Sequence, residues 1–88
     1  MEEHVVLSQC EELATRLGIT VRYESMKRGD FVNVGGLCRI EDEHFIIINA
    51  KAPTRDKIHV LARALKRFDL SSVYVLPALR EFIGTIPD

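Results

Sequence analysis

An unbroken apolar run, Phe45-Ile46-Ile47-Ile48, ends on Asn49, and a helical pattern begins at Thr54. That succession constrains the fold more than any other feature. Four apolar residues in a row leave a strand no polar side to turn toward water. Residues 44–49 therefore read as a central strand, covered on both faces, or covered on one and paired with a second subunit on the other. The segment 54–68 repeats every three or four residues: Ile58, Leu61, Ala62, Leu65 and Phe68 form a stripe to bury, while Arg55, His59, Arg63, Lys66 and Arg67 share another face. Thr54 is a candidate N-cap, and Asp56 in the first turn favours the helix dipole.

The rest of the chain supplies what such a strand and helix need to pack against. Val6, Cys10, Leu13 and Leu17 fall four, three and four apart, a buried helical stripe, and Gly18 suits the left-handed position that ends a helix. Ile19, Val21 and Tyr23 alternate with Thr20, Arg22 and Glu24 as a half-buried strand does. Residues 26–30 read as a turn, and residues 31–40 as a second strand kinked at Gly35-Gly36. Glu41-Asp42-Glu43 is a compact acidic turn, so residues 37–40 and 45–49 should form an antiparallel hairpin. Pro77 interrupts the last apolar stretch, which predicts a short helix over 77–83 ended near Gly84. The expectation is one α+β domain spanning residues 1–88, in the order α-β-β-β-α-α. Its helices pack on one face of a small, mostly antiparallel three-stranded sheet, with the short last helix closing an edge.

At 88 residues the chain holds one core with little stability to spare, so self-association would help it, and a homodimer is the expected state. The apolar runs fall far short of the ~20 residues that span a bilayer. The acidic start Met1-Glu2-Glu3-His4 lacks the basic region of a secretory signal, which points to the cytoplasm. Net charge is only -1 but unevenly divided: residues 1–44 carry five Lys or Arg against nine Asp or Glu, residues 45–88 seven against four. That asymmetry marks an oriented surface, and the balance is far from the strongly basic one of nucleic-acid proteins. Cys10 and Cys38 lie far apart on a predicted helix and strand, without the close spacing of a zinc or redox motif, and read as two buried, reduced thiols.

The strand Ile46-Ile47-Ile48-Asn49, a short loop, and then Leu61-Ala62-Arg63-Ala64-Leu65-Lys66-Arg67 resemble the ImmA/IrrE type of zincin-like peptidase, as do Leu17-Gly18-Ile19 and the strand that follows. The resemblance covers most of residues 10–68. It implies a helix, three strands and a helix, with an apolar strand ending in Asn before a helix carrying HExxH. In that motif two histidines one turn apart bind zinc and the glutamate activates water. Carried over by position, the first histidine falls on Arg63, the glutamate on Ala64 and the second histidine on Arg67. Arginine stays cationic and cannot ligate zinc, and alanine cannot take a proton. The resemblance therefore implies a non-enzymatic relative with no metal or other cofactor. A register starting at His59 keeps one possible ligand and still lacks base and partner.

Three functions stay open at this level. The first is a non-catalytic interaction or regulatory module that binds an anionic partner through Arg55, His59, Arg63, Lys66 and Arg67. That partner is an acidic protein surface or a phosphorylated ligand; no Asn or Gln interrupts the stripe to read bases, so nucleic acid fits poorly. The second is a small metal- or thiol-dependent enzyme built from Cys38, His44 and His59. The third is a structural subunit of a larger complex, with an apolar patch within residues 74–82.

Overall fold

Val6, Cys10, Leu13 and Ala14 are the buried residues of the first helix, α1 (Glu3–Arg16), with Leu17 half-buried at its C-cap. Gly18 follows with φ +79°, the left-handed turn that glycine adopts without a Cβ penalty. The computed structural model describes residues 2–25 and 35–87. Beyond α1 the elements are β1 (Thr20–Glu24), β2 (Gly35–Ile40), β3 (Glu43–Asn49), α2 (Thr54–Leu65) and α3 (Pro77–Thr85). The α+β class and the element order expected from the sequence hold. The turn expected at 26–30 and the start of the second strand at 31–34 lie outside the described residues.

The apolar run does form the central strand. The sheet order is β1-β3-β2, with β2 antiparallel and β1 parallel to β3, so the sheet is mixed. The hairpin supplies the antiparallel half. Its loop is the pair Glu41-Asp42, with φ 49° and 70°, the two positive values of a type I′ turn. Pairing runs unbroken from Gly35 opposite Ile48 to Ile40 opposite Glu43. Gly35 and Gly36 keep regular pairing without a bulge and extend the strand, and a Cβ at Gly36 would meet nothing within 4 Å.

This register sorts every strand side chain. Ile46 and Ile48 are fully buried and share their face with Val21, Tyr23 and Leu37. The helices pack here: Tyr23 donates a hydrogen bond to Glu11 of α1, and the His44 ring meets Phe68 edge-on with centroids 4.9 Å apart. The opposite face carries Cys38, Ile40, Phe45 and Ile47, of which Ile40 is 54% exposed. From Phe45 to Ile48 the residues of β3 thus alternate between partial and full burial, although the sequence there is uniformly apolar.

α2 buries Ile58, Leu61, Ala62, Ala64 and Leu65 against α1 and the sheet. Complete burial of Leu61 and Leu65 contributes about 1.5–3 kcal/mol each. Its N-cap is Pro53 rather than Thr54, with an extended ψ of 152° and no side-chain cap bond. The helix ends at Leu65 rather than Phe68; Arg67 and Phe68 close a tighter turn on the carbonyls of Ala64 and Leu65. α3 begins with Pro77 at its first position, after an extended Leu76. Its buried Leu79 and Ile83 contact α1 and α2 and no strand, so it lies against the helix pair rather than at a sheet edge. No helix among the described residues is long and apolar enough to cross a membrane.

Candidate functional site

Arg55, His59 and Arg63 stand four residues apart on α2, which places them on one ridge, and all three are exposed. Arg67, in the tightened turn beyond the helix, is exposed as well. Lys66 is different: it is half-buried, and its Nζ donates to the carbonyl of Ile86, tying the end of α2 to the end of α3. Four of the five predicted residues therefore face outward and one holds the fold together. Arg55 is engaged at its Nε, 3.2 Å from Oε2 of Glu3, an exposed pair of the kind worth little to stability. No acid of α2 stands on the ridge. Asp56 is exposed in the first turn, one residue from Arg55.

Beside this ridge the three helices leave an open cleft of about 350 Å³. Its apolar lining is Val6 from α1, Ile58 from α2, and Ala78 and Phe82 from α3, while Glu3, Arg55 and His59 supply the polar groups. Glu3, Arg55 and Ala78 belong to the first turns of their helices, so all three helices reach this space near their amino-terminal ends. None of these helices has a side-chain cap. The sequence gives no sign of this meeting, because Val6, Ile58 and Phe82 each belong to a separate helical pattern. The one available signal is Ala78 and Phe82, four apart on a helix whose Leu79 and Ile83 already fill its buried stripe.

Cys38, His44 and His59 do not converge. Cys38 pairs across from Phe45 on the outer sheet face, His44 points to the helices against Phe68, and His59 is exposed on α2. A single residue of strand alternation separates Cys38 from His44, and the sheet itself lies between them. Among the described residues no group of three or more His, Cys, Asp or Glu is arranged to hold a metal ion. Cys10 is fully buried, and burial, with a smaller contribution from the Glu11 charge, pushes its thiol up to about 12. Arg63 and Arg67 are exposed while Ala64 packs in the core.

A second polar cluster links three elements. Burial and then the hydrogen bond to Glu11 hold the Tyr23 phenol above its ordinary range, and Lys57 Nζ sits 5.6 Å from the same ring. This is a tie between α1, β1 and α2. Away from it, Tyr74 and Leu76 are 67% and 44% exposed, while Val75 between them is buried. No family model matches the chain, and no curated protein or solved structure matches it either.

Proposed function

We propose that this domain is a non-catalytic interaction module that binds an anionic partner along α2. The observation that carries the reading is the ridge: Arg55, His59 and Arg63 exposed at four-residue intervals, with Arg67 beyond them and no opposing acid from the same helix. An acidic protein segment or a phosphorylated ligand is the complementary partner. The same surface suits a relative of the ImmA/IrrE-type peptidases in which Arg63 and Arg67 stand where the zinc-binding histidines would, and buried Ala64 where the water-activating glutamate would.

The test uses fluorescein-labelled poly-L-glutamate and a phosphoserine peptide, followed by anisotropy across a salt series. Binding should weaken with salt and disappear in the double variant R63E/R67E, while the thermal melt stays superimposable. Equal binding by wild type and variant would remove the ridge from consideration. The bare apolar residues favour a second reading, a subunit of an assembly. Ile40 on the outer sheet face and Tyr74 with Leu76 on the connection into α3 are the side chains such an assembly would cover. A homodimer joined through the sheet face requires a dimer mass by native mass spectrometry, lost in I40E. A monomer at micromolar concentration defeats that part of the reading.

A further inference from the structure

We propose that the cleft between the first turns of α1, α2 and α3 binds a small monocarboxylate with a compact apolar body, its head on Arg55 and its hydrocarbon against Val6, Ile58, Ala78 and Phe82. The site lies beside the ridge but needs neither Arg63 nor Arg67, so the inference goes beyond the interaction module.

Three observations converge on that ligand class. The volume of about 350 Å³ lies at the lower end of the range for small-molecule sites, roughly 300–1,000 Å³. The lining divides into an apolar set and a polar set, which suits an amphiphile with one head group. Most directly, Arg55 already holds a carboxylate: Glu3 Oε2 lies 3.2 Å from its Nε, which places the guanidinium for such a group at the mouth of the cleft. That contact uses Nε alone, and a guanidinium presents two Nη groups in the same plane for bidentate binding of a second carboxylate. His59 lines the same space. A cationic head would meet Arg55, and a neutral one would gain only an uncharged hydrogen bond, about half as strong as a charge-assisted one. An acidic helix laid along the ridge would have no use for a cavity of this size.

Glu3 opposes the ligand, since it competes for Arg55 in the empty site. This gives the proposal a signature that a merely greasy groove lacks. The experiment is a ¹⁵N–¹H titration of the whole chain with sodium octanoate, with octanol and octylammonium as head-group controls. Octanoate should shift the amides of Val6, His59 and Ala78 saturably, and both controls should bind about tenfold more weakly or worse. R55Q should weaken octanoate about tenfold, and E3Q should tighten it. Ala78 is exposed at the cleft, so A78W fills the space without entering the core and should abolish binding while leaving distant amides in place. Failure to saturate, shifts centred elsewhere, equal binding of the controls, or unchanged binding in A78W would each overturn the proposal. R63E/R67E should lose poly-L-glutamate and keep octanoate. Loss of octanoate binding with poly-L-glutamate retained would sink the cleft alone.

Discussion

The hairpin turn is where a small change should have the largest readable effect. Glu41 and Asp42 both adopt positive φ, 49° and 70°, in a two-residue loop. An L-residue with a Cβ pays roughly 1–2 kcal/mol in this region, less for Asp, and the pair the I′ turn prefers is Asn-Gly. In E41N/D42G the relief over the two positions is about 2 kcal/mol. Glycine returns about 0.5–1 kcal/mol through the freedom it adds to the unfolded chain. Losing the exposed Arg39–Asp42 ion pair returns a few tenths of a kcal/mol more, roughly. The net gain is about 1 kcal/mol, which for a domain of this size raises Tm by roughly 4–8 °C. Thermal unfolding followed by circular dichroism reads this directly, with E41V as the opposite control, since a β-branched residue tolerates that backbone least. An unchanged or lower Tm in E41N/D42G would refute the turn. It would also undo the register that puts Cys38 on one face and His44 on the other, because loop length and turn type fix that register.

Other consequences are quicker to check. Native protein should release one equivalent of thionitrobenzoate from Ellman's reagent at pH 8, from half-exposed Cys38, and two after denaturation; fast reaction of both native thiols would contradict the burial and raised pKa of Cys10. Tyr23 binds its phenolic proton more tightly folded than unfolded, so its contribution to stability is complete below the unfolded pKa near 10 and is lost as pH rises through the higher folded value. Urea midpoints should therefore fall above about pH 10, and fall less in Y23F; parallel profiles would show that Tyr23 is neither buried against α1 nor bonded to Glu11. Leu61→Ala, at a fully buried position, should cost about 2–5 kcal/mol in chemical denaturation, and a loss under about 1 kcal/mol would mean that α2 is not seated on the sheet.

The parts of this fold that the sequence revealed are those governed by local periodicity. The stripe of α1, the break at Gly18, the hairpin around its acidic turn and the start of α3 at Pro77 each follow from neighbours within a few residues. The parallel partner of β3 did not follow in this way. β1 lies far from β3 in sequence, and nothing in its alternation distinguishes a parallel neighbour from an antiparallel one. Nor could the run Phe45 to Ile48 reveal which of its faces would be covered, since all four residues are apolar and only the packing of α1 and α2 divides them. Phe68 shows the same limit. It continues the stripe of α2 by spacing, yet the helix ends before it, and its ring serves to pack His44.

The same distinction separates the ridge from the cleft. A ridge is a property of one helix, so Arg55, His59 and Arg63 could be grouped by counting. A cleft belongs to three helices at once, and Glu3, Arg55 and Ala78 meet only because α3 packs against the other two instead of against the sheet. Their meeting changes what the ridge can do. Arg55 is at once the first residue of the basic ridge and the partner of Glu3 at the cleft, so a negative charge arriving at either site competes with the same acid. Removing that competition in E3Q should strengthen binding of a polyanion to the ridge and of a carboxylate in the cleft together. R63E separates them, because it weakens the first and leaves the second.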